Sequence, residues 1–242
     1  MIHLQPHPRP MNMGAFTISP VMPGHLVQGH RDHGYGPLAR FDLSQLDPGG
    51  FIPMHPHRND EIVTYMLQGS LRHTDSGGSS VEVSPGTLMV MNAGRLFEHE
   101  EGVPPDAPIT AKWIQIFIRP HSADLEPLVQ FAKLPDRQDG QWRHLAGNEG
   151  SGAPALVRNE VDIFDTVATS GKLTLPALNG RHPLLHVWKG TVSLSGHRLT
   201  VGEGLLLSGE GVTQIEVDEP AGLLLFLIAP NAPVTHSGTI SR

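Results

Sequence analysis

The chain contains no cysteine, which excludes disulfides, thiolate zinc sites, iron–sulfur clusters and a cysteine nucleophile. Any metal must therefore be held by His, Asp or Glu. Charge is scarce too: Asp, Glu, Lys and Arg make up 17% of the residues, and the net charge is −7 with histidine neutral. No cluster of Lys or Arg forms a stripe that tracks phosphates, so neither nucleic acid nor an anionic membrane is an expected partner. Long apolar runs are missing as well. The longest, Gly222 to Ala229, is far too short to span a bilayer, and the N-terminal MIHLQPHPRPMNMGAF lacks an apolar core of signal-peptide length. A cytoplasmic location is expected. No GxSxG, P-loop or dinucleotide fingerprint occurs, so acyl transfer, nucleotide hydrolysis and hydride transfer lack support.

What is abundant is glycine and proline, 27 and 22 residues respectively, which suits a turn-rich β protein better than a helical bundle. Short alternating runs between turn signals predict strands at 38–46, 61–67, 80–83, 87–91 and 109–118. Residues 121–133, HSADLEPLVQFAK, carry Leu125, Leu128, Val129 and Ala132 at helical spacing behind a Ser122 cap, which predicts one short helix. The polar stretch 135–154 reads as a linker. Strand-like runs resume at 163–169, 184–189, 191–194, 205–208, 212–217 and 223–228. The expectation is an all-β chain of two barrels with a minor helix: an N-terminal unit over 1–134, the linker over 135–154 and a C-terminal unit over 155–242.

The two units read as copies. YMLQG, ending at Gly69, resembles HVWKG, ending at Gly190, and each is followed by a second glycine turn, at Gly86 and Gly202. On that match, His55 and His57 correspond to Pro176 and Leu178, while His99 and Glu101 correspond to Ile215 and Val217. The polar set belongs to the first copy alone.

That set carries the chemistry. Side chains at i and i+2 of a strand share a face, so His55 and His57 of HPH converge on one ion while Pro56 points away. In NAGRLFEHEEG the same parity joins His99 with Glu101 and turns Glu98 and Glu100 aside. Three imidazoles and one carboxylate suit a divalent first-row metal, Fe, Mn, Ni, Cu or Zn, without choosing among them. An isolated HxH in a chain with 15 histidines is commonly incidental; the downstream HxE and the apolar second copy favour a metal centre.

Other features read as structural. Met54, Met66, Met89 and Met91 are expected to fill the barrel or line a pocket. His30, Asp32 and His33 lack further ligands and read as a solvated loop, and His7 as a surface residue of a Pro-rich tail. His73 reads as a satisfied polar strand residue, and His182 and His186 as structural.

The run HPHRNDEIVTYMLQGSLRHTDSGG, followed by SPGTLMVMNAGRLFEHEE and WIQIFIRP, resembles the pirin family of bicupins, particularly its bacterial quercetinase-like members. The likeness extends more loosely from GPLARF to HVWKGTVSLSGHRLTVGEG and GLLLFLIAP. It implies two tandem cupin (jelly-roll) barrels, with a mononuclear metal, iron foremost, on His55, His57, His99 and Glu101 of the first and none in the second. It also implies quercetin 2,3-dioxygenase activity, in which dioxygen opens a flavonol and carbon monoxide is released, with Glu101 as ligand and general base. The family's regulatory branch supplies the alternative, a non-enzymatic metal-binding protein with a protein partner. The chain departs from the family at Leu96 to Glu100 and at Arg58, Asn59 and Asp60, the latter three expected to shape access to the metal.

Overall fold

The computed structural model describes residues 1–26, 32–208, 211 and 214–242. The first half forms β1 (Ile2–Leu4), β2 (Met11–Met13), β3 (Phe16–Met22), β4 (Leu38–Leu46), β5 (Phe51–His57), β6 (Glu61–Gln68), β7 (Leu71–Asp75), β8 (Ser80–Val83), β9 (Thr87–Asn92), β10 (Phe97–Gly102), β11 (Ala111–Ile118) and β12 (Leu128–Lys133). The second half forms β13 (Arg143–Gly147), β14 (Ala155–Leu156), β15 (Val161–Ala168), β16 (Gly171–Thr174), β17 (His182–Leu194), β18 (His197–Thr200), β19 (Gly204–Leu206) and β20 (Gln214–Ile228).

In the first barrel a four-stranded sheet, β5-β10-β7-β8, faces a seven-stranded one, β12-β9-β6-β11-β4-β3-β2. The second barrel is one nine-stranded sheet that curls through the long strands β17 and β20 and takes in β1 from the other end of the chain. The segment 135–154 contributes β13, which pairs with β15, so a strand of the second sheet lies within the stretch read as a linker.

No helix forms among the described residues, and the helix expected over 121–133 is corrected to an extended segment ending in β12. Pro127 is the cause: it disfavours helical backbone at Glu126 and withdraws a donor. Beyond it Val129 and Phe131 alternate toward the core beneath β9. Two expected strand breaks also disappear, because β17 and β20 each run through a bulge. Gly190, at φ 72°, lies so close to the Pro220 carbonyl that a Cβ would come within 2.2 Å of it; the glycine lets the strands bend together. Its counterpart Gly69 sits in the same way against Thr110 and Ala111.

The duplication holds, with one shift. The offset that equates Gly69 with Gly190 also equates Ile52 with Leu173 and His73 with Leu194. Glu101 pairs with Ile52 and His73, while Ile215 pairs with Leu173 and Leu194. Ile215 is therefore the counterpart of Glu101 rather than of His99, and the counterpart of His99 falls outside the described residues.

A shared core joins the barrels. Val21, Leu38, Phe41 and Val63 pack against Leu184, Leu224 and Phe226, with the Phe41 and Phe226 rings 5.4 Å apart; each such side chain contributes about 1.5–3 kcal/mol on burial. Charges staple the seam. Tyr65 donates to Asp165 at 2.6 Å, and Arg143 donates to both oxygens of the same carboxylate, at 2.8 and 2.6 Å. Buried Glu61 takes Arg158 through its guanidinium at 2.8 Å and its backbone amide at 3.0 Å.

Candidate metal centre

The site lies inside the first barrel, on strands brought together by pairing. In the β5–β10 ladder His55 stands opposite His99; the ring centroids are 4.4 Å apart, and His57 lies 5.0 Å from His55 and 5.2 Å from His99. Nitrogens of these three imidazoles fall within 4.8 Å of one another. A bulge between His99 and Glu101 breaks the ladder. Glu101, His99 and His73 form a second set within the same limit. Along β10, Phe97, His99 and Glu101 are buried and Glu98 is exposed.

Hydrogen bonds orient the rings. Nδ1 of His55 donates to the Pro53 carbonyl at 2.8 Å, and Nδ1 of His57 donates to Asp60 at 3.0 Å. His99 is fixed through two residues. Buried His73 turns Nε2 to Asp75 at 2.9 Å, and a carboxylate only accepts, so the proton of that neutral ring is on Nε2. Its Nδ1, 3.4 Å from Nδ1 of His99, is then the acceptor, and His99 carries its own proton on Nδ1. All three rings thus present the Nε2 lone pair, the arrangement that outer partners impose on metal-binding histidines.

Two buried atoms have no partner here among the described residues: Nε2 of His99 and Oε1 of Glu101. Burial, with the neighbouring His57, His55 and His73, drives the His99 pKa down to about 2, and burial pushes Glu101 up to about 7. Buried polar groups are ordinarily bonded, and a cation among these atoms would satisfy both. The residues fit a metal.

The cavity beside them measures about 270 Å³, with Ile52, Ile62, Trp113 and Phe117 among its walls. Among the described residues one charged pair enters it: Arg40 donates through Nε to Asp42 Oδ2 at 2.7 Å, and its guanidinium lies 5.4 Å from the centre of the Phe117 ring. Oδ1 of Asp42 is buried and unpartnered, and burial raises the pKa of this carboxyl against the Arg40 charge.

Several sequence readings change. His73 is the satisfied strand residue expected, and it also orients His99; its two-residue spacing from Asp75 was the available signal. Asn59 and Asp60 are absent from the cavity wall and fully buried. Asn59, at φ 53°, accepts from the Asp124 amide at 2.7 Å. Asp60 accepts from the Ser241 amide at 2.8 Å and the Ile240 amide at 3.2 Å. Arg58 faces outward, paired with Asp124 at 2.7 Å. These residues clamp a distant segment onto His57. Met66, Met89 and Met91 are buried, whereas Met54 is 46% exposed and fills no core. Asp32 pairs with Arg119 at 2.7 Å and His33 is exposed; His30 lies outside the described residues.

A first barrel with a buried His/Glu cluster, followed by a second filled with aliphatic side chains, defines a bicupin. Residues 25–118 match the family described as Pirin, and residues 145–227 the quercetinase C-terminal cupin domain. A pirin-like protein of Caulobacter vibrioides is 30% identical over 196 residues, covering 79% of this chain and 83% of its own. The chain belongs to the pirin family. Quercetin 2,3-dioxygenase of Escherichia coli K12 is 25% identical, covering 81% of this chain and 84% of its own. The fold matches the nickel(II) complex of the E. coli pirin YhhW with a TM-score of 0.81 at 20% identity, over 95% of this chain and 100% of that one. No helix among the described residues is long and apolar enough to cross a membrane.

Proposed function

We propose that the protein is a metal-dependent oxygenase of the quercetin 2,3-dioxygenase type, with His55, His57, His99 and Glu101 as metal ligands and Glu101 as general base. The observation that carries this reading is the set of Nε2 lone pairs beside the unpartnered Glu101 carboxylate, at the edge of a small, mostly apolar cavity. Three imidazoles and a carboxylate suit iron, zinc, nickel, manganese or copper without choosing among them; the family resemblance favours iron, and a nickel complex is known for the related YhhW. A divalent ion held there would supply Lewis acidity toward a deprotonated hydroxyl and a path for electrons to dioxygen.

The chain's own residues do the rest. A flat flavonol enters between Ile62, Trp113 and Phe117, which exclude water from the reacting face. Glu101, at the edge of the histidine set with Oε1 free of a protein partner among the described residues, is placed to take the hydroxyl proton, serving as ligand and base in turn. Asp42 Oδ1 offers an acceptor to a second hydroxyl, with Arg40 holding the carboxylate in place.

The test combines elemental analysis of freshly purified protein with an oxygen electrode and carbon monoxide detection. Expected are about one metal per chain and oxygen uptake with a flavonol, both lost in H99A. Metal-replete protein that consumes no oxygen with any flavonol would overturn the oxygenase reading and leave the non-enzymatic, partner-binding one.

A further inference from the structure

A second cavity opens where the barrels meet. At about 620 Å³ it is larger than the metal pocket, and β3, β4 and β11 of the first barrel and β17 of the second all contribute to it. Volumes of this order hold a small organic molecule. The charge of its walls runs against that of the chain. The protein carries a net −7 and four lysines; two of those four, Lys112 and Lys189, line this cavity, and among the described residues no Asp or Glu does. Neither lysine pairs with a carboxylate among the described residues, where Lys172 with Glu216 is the one lysine ion pair.

The floor is aromatic. The Trp188 ring lies flat against Gly222, where a Cβ would come within 2.3 Å of it, and Arg137 holds the ring at 5.3 Å. The indole is therefore fixed, yet its Nε1–H is buried without an acceptor. Leu43 and Leu67 add apolar walls, and Thr17 and Ser19 add hydroxyls. Ser44 and Trp113 line both this cavity and the metal pocket, so the two are neighbours across one wall.

We infer that this interbarrel cleft is a second ligand site, for a small aromatic carboxylate: the ring lies between Trp188 and the two leucines, and the anion lies between Lys112 and Lys189. Lysines in a cleft free of opposing charge concentrate field on an anion. A neutral ring of the same shape gains the packing without the ion pairs.

Isothermal titration of the full chain with 2-naphthoate and 2-naphthamide, which share a ring system and differ by one charge, tests this. The expected result is naphthoate binding at least 10-fold tighter than the amide at low salt, the ratio shrinking as ionic strength rises. In K112Q/K189Q the ratio falls to near one with metal content unchanged, and in W188A both probes weaken together. Equal affinity for the two probes, a ratio unchanged in K112Q/K189Q, or displacement of naphthoate by quercetin in wild type that is lost in H99A would each overturn the assignment. Metal content and oxygen uptake, read separately, decide the oxygenase reading whatever the titration gives.

Discussion

Glu101 and Ile215 occupy the same place in two copies of one barrel. Glu101 faces Ile52 and His73; Ile215 faces Leu173 and Leu194. Among the described residues the positions matched to Glu101, Ile52 and His73 are aliphatic in the second barrel, so the architecture does not require a carboxylate there. Burying an unpaired carboxylate and an unpaired imidazole nitrogen opposes folding. The first barrel keeps both, which supports the proposed ligand site.

The sharpest way to break this contrast is to make the first barrel like the second. Glu101 keeps a pKa of about 7 against its usual 4.5, so the metal-free folded state holds its proton where the unfolded chain has lost it. This group's contribution is undiminished at or below pH 4.5 and is lost as pH rises through 7, leaving a deficit of about 3 kcal/mol at pH 8. Glu101→Ile should therefore raise the stability of metal-free protein at pH 8 by an amount of that order in urea melts, while abolishing metal uptake.

His186 offers the reverse comparison. It is fully buried where the barrels meet, edge-on to Phe41 at 5.2 Å. Neither ring nitrogen closes a hydrogen bond of ordinary geometry. Burial drives its pKa from 6.5 to about 4, offset in part by the Glu203 backbone. Here the unfolded chain takes up the proton first, so stability is complete above pH 6.5 and declines by up to about 3 kcal/mol as pH falls through 4. His186→Leu should remove that decline, relative to wild type, in melts at pH 4 and pH 7.

The orienting residues should give intermediate effects. Asp60→Asn weakens the acceptor for His57 and the clamp from residues 240 and 241, and a loss of about 10- to 100-fold in metal affinity is expected by competition with a chelator. Asp42→Asn should weaken binding of a hydroxylated flavonol relative to its methyl ether by about 10-fold, read by titration into metal-loaded protein. The smallest effect belongs to the second barrel's surface: Lys172→Ala, which removes an exposed pair with Glu216, should shift stability by less than about 0.5 kcal/mol.

Much of this was legible in the sequence. The spacing of His55 with His57 and of His99 with Glu101 follows from strand alternation, and the edges of β4 and β8 fell at turn residues. Other features needed three dimensions. Helical spacing in 121–133 was overridden by Pro127 and by pairing with β9. His73 becomes an orienting group only because β7 lies beside β10. Lys112 and Lys189 belong to different copies, and no local pattern announces that they share a cleft.

The clamp on Asp60 bears on the order of events during synthesis. The carboxylate that steadies His57 is closed by amides some 180 positions further along the chain, beyond the whole second barrel. A first barrel emerging alone from the ribosome carries His57 on a carboxylate whose other oxygen is not yet capped. If the site takes its proposed metal, full affinity is expected only once residues 240 and 241 have reached Asp60, and a chain interrupted before residue 240 should compete poorly with a chelator.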